Sequence, residues 1–242
     1  YLKTRGRNML TINNVTVEYP DGTKAINNLS LNVKSGEKLA LIGANGAGKS
    51  TLMLAIEGIL DSTGEIKIGD LVVNSKNIVK VRQQVGMLFQ NPDDQLFMAT
   101  IYDDIAFGPR NAGLDEESVK YRVEDRLKLL NIEHLKDKTA LKLSGGEKRM
   151  AALATVLAMK PSVMLLDEPT AFLDPKARRN LINVLNSLPH TMLIATHDLA
   201  FAKEVCREAV VIKDGNFFAK GNCDEILYNQ ELMDEGGIEA IM

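Results

Sequence analysis

The chain has 242 residues, of which 45% are hydrophobic, and it carries a formal net charge of −3. It is long enough to bury a substantial core, as one large domain or as a core with an inserted lobe, and it lacks the basic balance typical of nucleic-acid-binding proteins. Its two cysteines, Cys206 and Cys223, exclude a disulfide scaffold and fit a reducing compartment. The longest apolar run, 151–159 apart from Thr155, is much shorter than the roughly 20 residues of a membrane-spanning helix, so we expect that the chain does not itself cross a membrane.

The first predicted strand lies close to the start of the chain. Residues 1–8 are polar and basic and are set aside as a leader or as added residues, because a strand-like pattern begins at Met9. Residues 10–12 and 15–19 alternate apolar and polar side chains, as half-buried strands do. A Pro-Asp-Gly turn follows directly, so Tyr19 is expected to end a strand beside a turn.

Two further strands, 28–33 and 38–42, are predicted on either side of a Ser-Gly turn, and a glycine-rich loop follows the second one. This loop has the spacing G-x-x-x-x-G-K-[ST] and leads into a predicted helix. Its residues are Gly43, Ala44, Asn45, Gly46, Ala47, Gly48, Lys49, Ser50 and Thr51. Backbone N–H groups of such a loop converge on a polyphosphate, while Lys49 reaches the outer phosphates and the Ser50 hydroxyl binds Mg²⁺. The alternative, a glycine turn without chemistry, is disfavoured by the strand before it and the helix after it.

The middle of the chain changes from strands to helices. Residues 65–68 and 71–73 indicate a hairpin, and 85–89 indicate a short strand that ends at Gln90-Asn91-Pro92. From residue 92 to residue 160 the pattern is helical, which predicts an inserted helical lobe. Four apolar residues define one face of a predicted helix there, namely Val119, Val123, Leu127 and Leu130.

The last helix of this lobe is predicted to begin with a capping box. Ser144 and Glu147 have the S-x-x-E spacing, in which each residue satisfies a backbone N–H near the other. Gly145 and Gly146 lie between them, at the start of the helix. This helix N-terminus is therefore a potential anion site.

Strand and helix alternate again in the second half of the chain. A buried run, 162–166, is followed by Asp167-Glu168, and a second run, 191–195, precedes His197. Between them Asp174 caps a helix that has proline at its first position and runs to about residue 188. This alternation predicts a parallel sheet covered by helices. A Lys-Asp-Gly-Asn hairpin signal at 213–216 opens the C-terminal part, which is otherwise polar and helical.

Polar residues follow three of the predicted strands and should converge on one phosphate site, because ligands bind at the carboxyl ends of strands in such sheets. Asp167 is suited to hold Mg²⁺ directly or through water. Glu168 should point to the other side of the extended chain, where it can polarise a water for in-line attack on the γ-phosphate. The alternative is a solvated Asp-Glu pair that only ends a strand.

Three further residues are candidates for the nucleotide site, and each of them has two possible interpretations. His197 either donates to the γ-phosphate or caps the helix that begins near residue 198. The Gln90 amide either serves a metal-bound water and a backbone carbonyl or belongs only to a turn. Tyr19 either stacks on adenine or packs in the core.

Together these motifs resemble the ATP-binding cassette (ABC) family over about residues 9–221. The resemblance implies that residues 143–147 (Leu143, Ser144, Gly145, Gly146, Glu147) are the signature motif, Gln90 the Q-loop glutamine, Asp174 the D-loop aspartate and His197 the switch histidine. It implies ATP and Mg²⁺ as ligands, with the metal near Ser50, Gln90 and Asp167. Glu147 departs from the usual glutamine, and the D-loop Ala171-Phe172-Leu173-Asp174 lacks the small residue that commonly precedes leucine. Because neither departure removes a phosphate ligand, hydrolysis is expected to survive.

The family resemblance implies an α/β fold, in which a P-loop NTPase core has a parallel sheet flanked by helices, an antiparallel β subdomain and an inserted helical lobe. The expected boundaries are 9–90 and 161–225 for the core, 91–160 for the helical subdomain and 226–242 for a C-terminal tail.

A narrower resemblance, in residues 89–97, 102–109 and 145–149, is to the ATPase subunits of cobalt, nickel and energy-coupling-factor importers. It implies a subunit that powers import of a metal ion or vitamin through ATP-driven dimerisation. The expected partners are a second ABC ATPase chain, identical or paralogous, and transmembrane importer subunits, at the cytoplasmic face of the cell membrane. Nucleic acid is not an expected partner. The cargo is not specified by these residues.

Other cassette proteins act on DNA or on ribosomes and provide the alternative. The first kind usually carries long heptad segments or a basic surface, and the second usually carries two phosphate loops in one chain. This sequence has one such loop and neither of the other features. A cassette without catalysis should lack the base, whereas Glu168 is present.

A membrane partner is predicted to dock near Gln90 and residues 93–107. This segment combines five apolar residues, Leu96, Phe97, Met98, Ile101 and Phe107, with four acids, Asp93, Asp94, Asp103 and Asp104. The mixture suits an amphipathic partner helix with basic residues on its polar side. In the alternative interpretation the apolar residues pack inside the lobe and the acids face water.

Overall fold

The computed structural model describes residues 7–241. Within this range the chain forms ten β-strands and nine α-helices. The strands are β1 (Asn8–Glu18), β2 (Lys24–Lys34), β3 (Lys38–Ile42), β4 (Thr63–Ile68), β5 (Leu71–Val72), β6 (Val85–Leu88), β7 (Val163–Asp167), β8 (Thr191–Ala195), β9 (Glu208–Lys213) and β10 (Asn216–Asn222). The helices are α1 (Lys49–Ile56), α2 (Ile78–Gln84), α3 (Ile101–Asn111), α4 (Glu116–Leu129), α5 (Gly145–Ala158), α6 (Pro175–Ser187), α7 (Leu199–Val205), α8 (Cys223–Leu227) and α9 (Gln230–Glu235).

A six-stranded sheet with the order β10-β9-β3-β8-β7-β6 forms the centre of the fold. Its strands are parallel except for β10, which pairs antiparallel with β9. Successive side chains of β7 enter two different cores, with Met164 on one side and Leu165 on the other. Burial on both faces explains why these strands are continuous apolar runs. The parallel sheet predicted from the sequence is therefore confirmed.

A second, antiparallel sheet has the order β2-β1-β4-β5 and packs with α1 against one face of the central sheet. Leu10 and Ile12 of β1 share a fully buried core with Leu52 of α1 and Leu41 of β3. This packing fixes the loop between β3 and α1 from both sides. The predicted hairpin around residue 70 is confirmed as β4 and β5.

Helices α3, α4 and α5 lie between β6 and β7 in the chain and cover the other core. The predicted apolar face of α4 is confirmed, because the four residues proposed for it are buried. The predicted starts of two helices are also confirmed: α5 has the capping box of Ser144 with Glu147, and α6 follows Asp174 as N-cap with Pro175 in its first turn. No helix within residues 7–241 has the length and apolarity needed to span a bilayer.

Some details differ from the sequence predictions. The strand predicted at 28–33 begins at Lys24, and β2 and β3 lie in different sheets although a short turn connects them. The first strand includes Asn8, which the sequence interpretation had set aside, whereas residues 1–6 of that segment lie outside the described range. The division of the chain at residues 90, 160 and 225 stays a prediction.

Candidate nucleotide-binding site

A cleft of about 580 Å³ lies at the edge where the parallel strands end. Its lining residues follow the ends of β3, β6, β7 and β8 or lie in the turn after β1, at the start of β2 and in the turn after β9. The residues that line it are Tyr19, Thr23, Lys24, Ala25, Asn45, Gly46, Gly48, Lys49, Ser50, Thr51, Gln90, Asp167, Glu168, His197, Asp214 and Gly215. The predicted convergence of polar strand ends on one site is therefore present.

The loop between β3 and α1 leaves the start of α1 free of side-chain caps. Gly48 is the N-cap of α1 with φ of 101°, and no side chain accepts a hydrogen bond there. A Cβ atom at Gly48 would lie 2.3 Å from the carbonyl oxygen of Ala25, so both the backbone angle and the space require glycine. The free N–H groups and the positive end of the helix dipole make this terminus an anion site.

Lys49 is buried at the bottom of the loop, with 7% of its surface exposed. Its Nζ donates to the carbonyl oxygens of Gly43 at 2.6 Å and Ala44 at 3.1 Å. Burial lowers the pKa of Lys49, while Glu168 and Asp167 act in the opposite direction. The ammonium group is thus held among carbonyls and carboxylates where a polyphosphate can replace some of its partners.

Asp167 ends β7 and is also 7% exposed. Burial raises the pKa of its carboxyl group and Glu168 adds to the effect, whereas Ser50 and Lys49 lower it. A buried carboxylate beside a hydroxyl is an oxygen donor set that fits Mg²⁺, which takes few protein ligands and keeps several waters. Ser50 and Asp167 could therefore hold this ion.

Glu168 adopts a left-handed backbone conformation with φ of 43°, so the prediction that it continues an extended chain is wrong. Both Asp167 and Glu168 consequently line the same cleft. Glu168 Oε2 lies 2.9 Å from His197 Nδ1 and accepts from the His197 backbone N–H at 3.2 Å. Its own N–H donates to the carbonyl oxygen of Ala195 on β8.

His197 does not cap a helix. The N-cap of α7 is Asp198, whose side chain accepts from the N–H of Phe201, so the capping interpretation of His197 is wrong. Two hydrogen bonds of 2.8 and 2.9 Å from Arg178 on α6 hold Asp198 in place. The His197 side chain is 68% exposed and faces the cleft beside Glu168.

Tyr19 and Gln90 both line the cleft. Tyr19 lies just beyond β1 and is 36% exposed, so the interpretation of Tyr19 as a core residue is wrong. Its hydroxyl is 3.0 Å from Thr51 Oγ1, which ties it to the phosphate-loop helix. Gln90 lies two residues beyond β6, and its side chain is not committed to the adjacent turn, where Asn91 accepts from Asp93.

The sequence interpretation missed the wall of the cleft beside Tyr19. Thr23–Ala25 at the start of β2 and the turn Asp214-Gly215 form this wall. Gly215 donates to the carbonyl oxygen of Ala47 at 3.1 Å and accepts from the N–H of Asn27 at 2.8 Å. The hairpin turn was predictable from Asp-Gly, but its position depends on contacts with β2, nearly the whole chain away, which no local pattern encodes.

The remaining predicted residues lie outside this cleft. Gly43 and Ala47 are buried parts of the loop, and Ala44 contributes its carbonyl to Lys49. Asp174 caps α6 through the N–H groups of Lys176 and Ala177. A Cβ atom on Gly146 would lie 2.7 Å from Cβ of Ala177, so the N-termini of α5 and α6 are packed together.

Ser144, Gly145, Gly146 and Glu147 form a surface at the start of α5, with Ser144 and Gly145 exposed. Glu147 Oε2 accepts from the Ser144 backbone N–H and from its hydroxyl, both at 2.8 Å. These hydrogen bonds lower the pKa of the Glu147 carboxyl. The helix terminus therefore already has a carboxylate of its own.

The predicted docking segment is only partly exposed. Leu96 and Ile101 are buried in the helical core, so the packing interpretation is correct for these two residues. Asp104 is 4% exposed and accepts from the N–H groups of Phe97 and Met98, and burial raises the pKa of its carboxyl group. Phe97 and Phe107 remain exposed and contact each other edge to face at 5.1 Å.

The phosphate loop lies between a buried strand and a helix, and acidic residues end a parallel strand nearby. These features define a P-loop nucleoside triphosphatase. Comparisons with known proteins agree with this class. The family model described as ABC transporter matches residues 26–171.

Two curated relatives illustrate the similarity. A putative ABC transporter ATP-binding protein, GSU1281 of Geobacter sulfurreducens, is 47% identical over 89% of this chain and 87% of its own length. The energy-coupling factor transporter ATP-binding protein EcfA of Carboxydothermus hydrogenoformans is 42% identical over 95% of this chain and 86% of its own.

Solved structures agree as well. The structure of cbiO1 from Clostridium perfringens, described as part of the ABC transporter complex cbiONQ, matches with a TM-score of 0.84 at 39% identity over 94% of each chain. A dimeric post-hydrolysis structure of the ATP-binding cassette MJ0796, bound to ADP and Pi, matches with a TM-score of 0.79 at 27% identity over 89% of this chain and 99% of that one. The chain belongs to the ABC transporter ATP-binding family and is an ATPase.

Proposed function

We propose that this ATPase powers a membrane importer of the energy-coupling-factor type, working as a dimer at the cytoplasmic face of the membrane. The observation that carries the catalytic part is the contact between Glu168 and His197 at the strand ends beside the phosphate loop. The similarity to EcfA and to cbiO1 supports a transporter subunit of this type. A metal ion or vitamin is the proposed cargo, which follows from the importer resemblance of residues 89–97, 102–109 and 145–149 alone.

The residues of the cleft that were predicted from the sequence have proposed roles in ATP hydrolysis. The free N–H groups of the phosphate loop and Lys49 bind the β- and γ-phosphates, and Tyr19 contacts the adenine. Glu168 accepts a hydrogen bond from the attacking water and orients it in line with the γ-phosphate. His197, aligned by Glu168, donates to the γ-phosphate. When bound by Ser50 and Asp167, with Gln90 nearby, Mg²⁺ supplies neutralisation of the phosphate charge.

The dimer is proposed to be head to tail. The start of α5 is exposed and lies outside the cleft of its own chain, and its glycines offer N–H groups to an anion. In the proposed arrangement Ser144, Gly145, Gly146 and Glu147 face the nucleotide held by the partner chain, and Asp174 lies beside them. The MJ0796 cassette, which is dimeric in its structure with ADP and Pi, supports a dimer as the working form. Each composite site then needs residues from both chains.

The proposed docking surface for the membrane subunits consists of Phe97, Phe107, Asp93, Asp94 and Asp103. Phe97 and Phe107 are 63% and 42% exposed, which is unusual for adjacent aromatic rings in water. Asp93 pairs with Lys148 and Asp103 with Arg110, whereas Asp94 is exposed. An amphipathic helix with basic residues would match both components.

The importer assignment is tested with the chain assembled with its membrane subunits. We expect the combined substitution Asp94→Lys and Phe97→Asp to abolish co-purification with those subunits and ATP-driven uptake, while hydrolysis by the free ATPase persists. Tyr121→Asp on α4, where the ring is 68% exposed, is the matched control and should retain uptake. Wild-type uptake by the double variant would contradict the proposed docking surface.

A further inference from the structure

Arg149 lies on α5, four residues after Gly145, and its side chain is buried. It has no role in the proposed hydrolysis. It is 1% exposed and is the largest fully buried side chain among the described residues. Its Nη1 donates to the carbonyl oxygen of Phe89 at 2.6 Å and its Nη2 to that of Gln90 at 2.7 Å. These carbonyls follow directly on Leu88, the last residue of β6. Arg149 thus holds the backbone of the residue that lines the nucleotide cleft.

Within residues 7–241 the Arg149 guanidinium forms no salt bridge, and its Nε has no hydrogen-bond partner. Burial lowers the pKa of Arg149 to about 10, so the group stays charged at neutral pH. A buried charge is costly to desolvate, and the hydrogen bonds to the two carbonyl oxygens offset part of this cost. The position of these two carbonyls, directly after β6, gives the physical reason for an arginine here.

Two other contacts attach the segment after β6 to α5. Lys148 Nζ lies 2.6 Å from Asp93 Oδ1. Gln95 Nε2 donates to the Ala152 carbonyl and the Thr155 hydroxyl at 3.0 and 2.7 Å, while Gln95 Oε1 accepts from the Phe89 N–H at 3.3 Å. The contacts are spaced about one helical turn apart along α5. Segment 89–95 and α5 should consequently move as one body.

The two ends of this body lie at different nucleotide sites in the proposed dimer. Gln90 lines the cleft of its own chain, and Gly145, about one helical turn before Arg149, begins the exposed terminus assigned to the partner's nucleotide. We propose that Arg149 is a positioning residue that couples these two ends, so that a shift of Gln90 at one site moves the N–H groups of Gly145 and Gly146 at the other. The second half of this inference rests on the proposed head-to-tail dimer.

Three variants of the full chain test the coupling. Arg149→Met keeps the length and removes the charge, and Arg149→Lys keeps the charge but reaches one carbonyl at a time. Arg122→Met is the matched control, because Arg122 also donates to a carbonyl of α5, that of Ala158, but at the helix end far from Gln90. We expect Arg149→Met to lower kcat by about 3- to 30-fold, the usual range for coupling residues, with little change in KM for ATP. Arg149→Lys should recover part of this loss, and Arg122→Met should leave kcat unchanged.

A distance measurement in the single chain separates this inference from the dimer proposal. Spin labels on Val79→Cys in α2 and Leu141→Cys before α5 use positions that are 70% and 89% exposed. The native thiols are buried, and burial raises the pKa of Cys223 to about 11 and that of Cys206 further, so they should escape labelling. Mg-ATP should shift the label distance in the parent chain and should shift it less in Arg149→Met, in which Gln95 and Lys148 still attach the segment to α5.

An equal shift in both chains, or loss of ATP binding and thermal stability together with kcat in Arg149→Met, would overturn the positioning role. The dimer proposal has a separate test, which is whether Glu168→Gln forms a dimer in the presence of ATP. If it does not, while the label distance responds as expected, the proposal of a head-to-tail dimer is wrong and the coupling operates within one chain.

Discussion

Helix α1 directly follows Gly48 and helix α5 begins with Gly145, and both offer free N–H groups, yet their surroundings differ. The start of α1 has no side-chain cap and lies among three buried charged residues, Lys49, Asp167 and Glu168, each 7% exposed. The start of α5 is exposed and is capped by Ser144 and Glu147 of its own sequence. The first terminus is thus prepared for a polyanion by the chain alone. The second is already partly satisfied and carries a negative charge, so it should bind a phosphate only when a partner chain presents it.

The largest effect that this comparison predicts is at Glu168. We expect Glu168→Gln to bind Mg-ATP normally and to lower kcat by about 100-fold or more, as loss of a general base does. Glu57→Gln is the control, because Glu57 is another partly buried carboxylate, at the far end of α1, where burial raises its pKa to about 7. Steady-state hydrolysis and nucleotide binding by the purified chains give the answer. Wild-type turnover by Glu168→Gln would remove the catalytic assignment.

A mixing experiment tests whether the second terminus needs a partner. Lys49→Ala disables the α1 side and Gly145→Asp the α5 side, and the latter has space, since its Cβ would lie 3.5 Å from the carbonyl oxygen of Phe172. Each variant alone should be inactive. An equal mixture should regain about one quarter of wild-type activity, because half of the dimers are mixed and each of those has one intact site.

The result depends on the charge rather than on the added Cβ, so Gly145→Ala should lose less activity than Gly145→Asp. Mixed dimers without any recovered activity, once their formation has been verified, would indicate sites that are complete in one chain.

The smallest effect is expected at Ser144. Its hydroxyl accepts from the Glu147 N–H at 3.3 Å and donates to the Glu147 carboxylate, so it is engaged within its own helix. Ser144→Ala should lower the free energy of unfolding by about 1 kcal/mol, the usual value for an N-cap, with a small change in kcat. Chemical denaturation and hydrolysis assays measure the two quantities. A loss of kcat as large as that of Glu168→Gln at unchanged stability would instead place the hydroxyl on the phosphate.

The two regions also differ in how much the sequence predicts about them. The phosphate loop, the capping box and the cap at Asp174 are local, because each depends on residues within a few positions of one another, and the structure confirms the helix starts that they predict. The direction of the Glu168 side chain was predicted wrongly because alternation along a strand assumes extended backbone, and the chain turns left-handed at that residue.

Contacts between distant segments were not predictable from local patterns. Arg149 resembles an ordinary basic residue beside Lys148 in the sequence, and only the packing of α5 on the end of β6 turns it into a buried group. Likewise, Leu96 and Phe97 are neighbouring apolar residues, of which one is buried and the other is 63% exposed. Periodicity cannot separate them, because the chain between β6 and α3 is irregular.

The turn at Gly215 has a consequence for how the site selects its ligand. A Cβ there would lie 2.6 Å from the carbonyl oxygen of Ala25, and main-chain hydrogen bonds join the turn to Ala47 and Asn27. Part of the cleft wall beside Tyr19 is therefore polypeptide backbone, whose position does not depend on rotamers. A planar ring that contacts this part of the wall meets a preset surface, and no entropy is spent on ordering it. Substitutions of neighbouring side chains should accordingly alter how tightly a base is held without moving this part of the wall.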